Sequence, residues 1–274
     1  MPAPFSCAAK CVPLHTHFVM PPIVNASCDN VHGKEVMDQF SRTRLLLGST
    51  AVDTLAHAHV AVFGLGGVGG ICAETLARAG VGQLTIVDKD VVSETNINRQ
   101  VLATHETIGR AKVDIMSERI AAINPACQVN AIQCFFLPDT ADQFDFSAFD
   151  YAVDALDTVT AKLLFIETAH TAGTPFISCM GAANKVNPAG FKVADINKTK
   201  ICPLAKIIRK ESGKRGIKHF KVVYSEEDVL EPRPDETSEA PDPGRRTLPG
   251  THPAVPPAAG LLLAAEVIND LVAG

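Results

Sequence analysis

The chain has 274 residues, 46% of them hydrophobic, which is enough for one large α/β domain or a medium domain with a smaller appendage, folding without staples. A formal net charge of −5 excludes a generally basic surface, so any nucleic-acid contact has to come from a local patch. No uninterrupted run of about 18 apolar residues occurs, since even Ala258 to Val272 is broken by Glu266, Asn269 and Asp270, and a membrane-spanning helix is not expected.

Residues 1–35 are expected to form a loose extension. Pro13, Pro21, Pro22 and several histidines break its apolar stretches, which disfavours a signal peptide and makes the cytoplasm the expected location. With Lys10 and Lys34 as the only Lys or Arg before Arg42, it is a poor transit peptide, although organellar targeting stays open. Cys7, Cys11, His15 and His17 fit no metal-site spacing.

Helical spacing runs from Val36 to Ala56, interrupted by Gly48. His59 to Phe63 is a β-prone run, followed by glycines and then by Ile71 to Ala79 with one apolar helical face. Gly80 and Gly82 end that helix, and a second strand, Leu84 to Val87, stops at Asp88. A helix from about Gly109 to Ile123 ends at Asn124-Pro125, and a third strand spans Gln128 to Ile132. Phe149 to Val153 reads as a strand, Val159 to Ala172 as a helix and Thr174 to Ser178 as a strand. Strands alternating with helices predict right-handed crossovers and a doubly wound, mostly parallel Rossmann-like α/β sheet over residues 36–183.

Residues 184–274 read as a smaller appendage: strands within Lys185 to Ile196, a basic helix near Pro203 to Lys210, a strand at Val222 to Tyr224, and a closing helix from Ala258 to Leu271. Glu231 to Pro257, rich in Pro, Asp, Glu, Ser and Gly, is expected to be a mobile acidic loop.

A glycine turn between strand and helix lets phosphate approach backbone N–H groups and the positive helix end, and Gly64, Gly66, Gly67 and Gly69 meet that need. Asp88 and Asp90 follow about 20 residues later at a strand end, where a carboxylate accepts bonds from ribose hydroxyls. These features alone suit NAD, FAD or ATP equally. Asn96-Ile97-Asn98-Arg99-Gln100, Gly109-Arg110-Ala111-Lys112 and Asp154-Ala155-Leu156-Asp157 then put an arginine, a lysine and two carboxylates after successive strands, facing one crevice. Such charge suits reaction at an α-phosphate, where Arg and Lys stabilise phosphoryl oxygens and a carboxylate holds Mg²⁺. Asp154 reads equally as a second metal ligand or as a cap on the turn after its strand.

With the Gly-x-Gly-Gly-x-Gly, Asp-x-Asp, Asn-x-x-Arg-Gln, Gly-x-x-Lys and Asp-x-x-Asp motifs in order, residues 44–181 resemble the ubiquitin-activating-enzyme superfamily. Within it the chain looks most like the tRNA threonylcarbamoyladenosine dehydratases, through Ser41 to Gly48, Glu118 to Pro125, Asp195 to Thr199, Cys202 to Ala205 and the Pro249 to Leu271 tail. The resemblance implies ATP-dependent adenylation of a carboxylate, that of threonylcarbamoyladenosine in tRNA, followed by cyclising dehydration. It implies Asp88 and Asp90 at the ribose, Asn96 or Asn98 with Arg99 and Lys112 at the phosphates, Gln100 in the same motif, and Asp157 on Mg²⁺. Arg44 would reach a partner's ATP across a homodimer interface, and a sulfur-transfer protein is compatible as a further partner.

Lys198, Lys200, Lys206, Arg209, Lys210, Lys214, Arg215 and Lys218 stand against only Asp195 and Glu211, a candidate tRNA-backbone patch whose plain alternative is a solvated helix face. The eight cysteines form no Cys-x-x-Cys pair, which argues against a four-thiolate zinc site. Cys179 and Cys202 are candidate acyl-accepting thiols, with small apolar residues as the alternative, and lysines around Cys202 would lower its pKa. Two competing functions remain: adenylating the C-terminus of a ubiquitin-like or sulfur-carrier protein, which in bacteria usually brings paired Cys-x-x-Cys motifs, and a dinucleotide-dependent oxidoreductase or inactive Rossmann module. Arg99, Lys112 and Asp157 together speak against both.

Overall fold

A computed structural model describes residues 37–233 and 249–273; the expected 1–35 extension and the centre of the acidic loop lie outside the described residues. The first helical stretch is split at Gly48, whose φ of +89° no helix accepts, into α1 (Ser41–Leu47) and α2 (Ser49–His57). Leu55 of α2 is fully buried, whereas α1 buries nothing and exposes Leu45 and Leu46.

A single seven-stranded sheet follows, made of β1 (His59–Phe63), β2 (Gln83–Val87), β3 (Gln128–Ile132), β4 (Tyr151–Asp154), β5 (Phe176–Cys179), β6 (Phe191–Asp195) and β7 (Lys221–Ser225). Its order is β3-β2-β1-β4-β5-β7-β6, parallel throughout except for β6, which pairs antiparallel with β7 at the edge. Residues 184–273 thus continue the sheet begun by the first half. α3 (Gly69–Ala79), α4 (Lys112–Ile123), α5 (Val159–Ala172), α6 (Pro203–Lys214) and α7 (Val255–Ala273) cover its two faces.

Side chains alternate along β1 and divide the core accordingly. Val60 and Val62 enter a cluster with Leu76 of α3, Met116 of α4 and Leu263 of α7. Ala61 and Phe63 enter the opposite one with Phe165 of α5 and Ile208 of α6. Phe63 is the hub of that second cluster, its ring 5.0 to 5.3 Å from those of Phe136, Phe144, Phe146 and Phe165.

α7 is long and apolar enough to cross a membrane, with a mean hydropathy of 1.4. Here it is a core helix: Val255, Ala259, Leu263 and Val267 repeat at four-residue spacing and are fully buried. It begins earlier than its sequence suggests, because Pro256 and Pro257 sit in its first turn, where no N–H is needed. A Cβ on Gly260 would lie 2.2 Å from the Val68 carbonyl oxygen, so glycine lets α7 close on the start of α3. At the amino end of the strands, Tyr151 donates to Asp270 at 2.7 Å, and Lys221 reaches Asp270 at 2.6 Å and Glu266 at 2.8 Å.

Candidate active site

The turn from β1 into α3 is shaped by exclusion. Gly64 has φ +92° and donates its N–H to the Val87 carbonyl at 2.7 Å, while a Cβ there would lie 2.6 Å from the Ala155 oxygen. A Cβ on Gly69 would lie 1.8 Å from the Gly64 oxygen, and one on Gly67 would lie 3.2 Å from the Arg99 carbonyl. Val68, at the start of α3, offers no side-chain oxygen, so an anion finds that helix end without a side-chain cap.

Beside this turn stands Asp88, which accepts the Leu65 N–H at 2.6 Å on one oxygen and the Asp90 N–H at 2.8 Å on the other. Burial pushes its carboxyl above the usual carboxylate range, against the pull of the nearby Lys112 ammonium. Lys112 opens α4 and is only 5% exposed, with its Nζ 3.0 Å from Asp90 and 4.0 Å from Asp88. The α4 helix starts at Lys112 because Gly109 adopts φ +83° and Ala111 bridges to Val91, leaving residues 109–111 outside it.

The stretch after β2 separates its polar side chains. Asn96 accepts the Ser93 N–H at 3.2 Å and so caps the short turn Glu94–Asn96. Asn98 donates to the Thr251 hydroxyl at 3.0 Å, tying the approach to α7 to this loop. Arg99 donates to the Thr95 carbonyl and the Asn98 side chain, both at 2.8 Å, and its stem lies against Gly67. Gln100 is buried, its Nε2 4.0 Å from the Cβ position of Gly66, and its Oε1 has no hydrogen-bond partner among the described residues.

After β4, Asp154 and Asp157 part company. Asp154 is fully buried; it accepts the Leu156 N–H at 3.0 Å and the Lys162 ammonium at 2.9 Å, and Ser178 donates to it as well. Of its two readings this is the geometry of the turn cap. Asp157, three residues on, is exposed. Sequence reasoning missed Lys162 and Ser178; the second turn of α5 and the neighbouring strand carry no motif, and only the register Asp154↔Ser178 brings them together.

Arg44 pairs with Asp38 at 2.6 and 2.9 Å and holds that carboxyl down to about 2. In the basic segment Lys198, Lys200, Lys206, Lys210, Lys214, Arg215 and Lys218 are exposed. Arg209 instead donates to the Thr199 carbonyl at 2.8 Å and hydroxyl at 2.7 Å, docking the preceding loop on α6. Lys214 is paired with Glu211, and Arg215 with Glu167. Cys179 is buried, and burial pushes its thiol up to about 12; Cys202 is buried at the start of α6.

Residues 40–269 match the ThiF family. The chain belongs to the ThiF family. Within it, the chain is 41% identical over 243 residues to the tRNA threonylcarbamoyladenosine dehydratase of Bacillus subtilis, covering 86% of this chain and 96% of that one. The Escherichia coli protein of the same name is 35% identical over 210 residues, covering 73% and 77%. Among solved structures, E. coli tRNA N6-threonylcarbamoyladenosine dehydratase, TcdA, in complex with ATP superposes with a TM-score of 0.76 at 31% identity, covering 86% of this chain and 94% of that one.

Proposed function

We propose that this ThiF-family enzyme uses ATP to adenylate the carboxylate of threonylcarbamoyladenosine in tRNA and then closes the modification into a ring, releasing AMP and pyrophosphate. The observation that carries the reading is the glycine turn in which the Cβ positions of Gly64, Gly67 and Gly69 are taken by neighbouring atoms, with the Arg99 stem against Gly67 and the buried Lys112 beside Asp88, which holds the Leu65 N–H. A turn of that kind accepts phosphate on backbone N–H groups, and two fixed cations beside it meet the charge that develops at a phosphorus under attack.

Asp88 and Asp90 take the ribose hydroxyls, at the end of β2 where such carboxylates belong. Gly64, Gly66, Gly67 and Gly69 line the phosphates, with the Gln100 Nε2 donor beside Gly66. Asn98 and Arg99 hold the phosphates together with Lys112, and Asn96 caps the turn Glu94–Asn96 that precedes them. Asp154 acts from beneath, as the cap of the loop. The carboxylate of the substrate attacks the α-phosphorus, the bond to the β-phosphate oxygen breaks, and pyrophosphate leaves. An atom of the same modification then attacks the acyl carbon and AMP departs with the former carboxylate oxygen, so the tRNA loses one water overall. The second step needs positioning rather than a protein nucleophile, which agrees with the burial of Cys179 and Cys202.

Among the described residues no cluster of three His, Cys, Asp or Glu could hold a metal alone. Asp157 would hold Mg²⁺, which when bound would neutralise phosphate charge. The exposed Leu45 and Leu46 of α1 favour a homodimer in which Arg44 serves the partner's site. Lys198, Lys200, Lys206, Lys210, Lys214 and Arg215 supply the tRNA contact, with Arg209 shaping that surface. The cytoplasm is where such a substrate is met, and a sulfur-transfer partner is compatible with the fold.

The test is incubation with ATP, Mg²⁺ and threonylcarbamoylated tRNA, followed by nucleoside mass analysis. AMP and pyrophosphate should form and the modified nucleoside should lose the mass of one water. An unchanged mass rejects the reading.

A further inference from the structure

Lys162 is a lysine with 1% of its surface exposed, and its ammonium lies 2.9 Å from Asp154, itself fully buried. Desolvating two charges usually costs as much as their attraction returns, so such a pair is a poor source of stability. Its geometry suggests another use. The Asp154 carboxylate takes the Lys162 ammonium and the Ser178 hydroxyl on one oxygen, which leaves the other for the Leu156 N–H at 3.0 Å. One residue earlier, the Ala155 N–H donates to the Phe63 carbonyl at 2.9 Å, and the Ala155 carbonyl occupies the space a Cβ on Gly64 would need. The Ala155 methyl lies 3.0 Å from the Cβ position of Gly69. Ala155 and Leu156 are therefore held between the glycine turn and a buried charge pair, and the exposed Asp157 follows directly after them.

We infer that Lys162 is a positioning residue: with Asp154 and Ser178 it locks the loop 155–158 in one conformation, so that Asp157 is presented at the phosphates and the floor of the glycine turn stays closed. The inference rests on the proposed adenylation for what Asp157 does, though the locking itself does not depend on it. Without the pair, Leu156 loses its acceptor and the loop gains freedom. Nucleotide then still binds the glycine turn, but the response to Mg²⁺ weakens.

The full chain tests this with Lys162→Met and with the double variant Lys162→Met/Asp154→Leu, which removes the stranded carboxylate so that folding is preserved. Three readouts apply: hydrogen exchange at the amides of residues 155–158, the Mg²⁺ concentration that half-enhances binding of a fluorescent ATP analogue, and the split of AMP formation into kcat and KM. The folded double variant should exchange those amides about tenfold faster with β1 and β2 unchanged, need about tenfold more Mg²⁺, and lose kcat with little change in KM for ATP. Wild-type exchange and an unaltered Mg²⁺ response in a folded double variant overturn the inference. Should neither variant fold, Ser178→Ala removes one donor and no charge; about a threefold shift in the same direction is then expected, and none overturns it. Wild-type enzyme run alongside separates the questions, because a wild type that forms no AMP from its tRNA sinks the functional reading while exchange and Mg²⁺-dependent binding still decide this one.

Discussion

At the amino end of the strands Tyr151, Lys221, Glu266 and Asp270 satisfy one another and staple α7 to the sheet. At the carboxyl end Asp88 is held in surroundings that penalise its charge, Gln100 keeps an oxygen with no hydrogen-bond partner among the described residues, and Lys112 is buried with Asp90 at 3.0 Å and Asp88 at 4.0 Å. The same residue types serve stability where their needs are met internally, and point to a ligand where some need is left over. The two ends should accordingly fail in different ways.

The largest separation is expected from Arg99→Ala and Lys112→Ala, each raising the activation barrier for AMP formation by about 2 to 4 kcal/mol while thermal melting barely moves. A loss of rate below about threefold would remove the residue from the chemistry. Gly69→Ala should do both kinds of damage, costing about 1 to 3 kcal/mol of stability through the overlap with the Gly64 carbonyl and abolishing ATP-analogue binding. Tyr151→Phe should cost about 1 kcal/mol in chemical denaturation and leave kcat alone. A kcat that falls with it would erase the distinction between the two ends.

The smallest effect is a matter of sign. Burial works against the Glu74 carboxylate, yet hydrogen bonds from Arg119 and Arg78 outweigh it and hold its pKa below the ordinary 4.5. Its stabilising contribution is thus present above 4.5 and lost as pH falls through the lowered value; Glu74→Gln should flatten that part of the acid-unfolding curve. Asp88, with its pKa raised above 3.8, contributes oppositely: its stability is full below 3.8 and lost as pH rises through the raised value, and Asp88→Asn should remove that decline. Equal slopes for the two variants would contradict the difference between an acid stabilised by two arginines and one penalised by burial.

Local pattern carried most of the first half. His59 to Phe63, Gln128 to Ile132 and Val159 to Ala172 appear with the bounds predicted for them, β1 as a buried central strand, β3 as a largely exposed edge strand and α5 with its apolar residues on the buried side. Beyond Gly181 the pattern blurred. Strands expected throughout Lys185 to Ile196 reduce to β6 alone, since Lys185 is spent on the Glu227 carbonyl and residues 188–190 turn into a short helix. In the candidate site the glycines were legible because Gly64 and Gly69 mark places where a side chain would collide with backbone. Thr251 against Asn98, and Lys162 beneath Asp154, were not, because each depends on a partner that only the finished topology supplies.

The closing of α7 on the start of α3 at Gly260 also sets an order of events during synthesis. The glycine turn leaves the ribosome long before the helix that packs behind it, so a nascent chain carries Gly64 to Gly69 while that turn still lacks a back wall. Competence to hold ATP should arrive late and abruptly, with the emergence of the final helix, and a half-made chain should have no means of sequestering nucleotide.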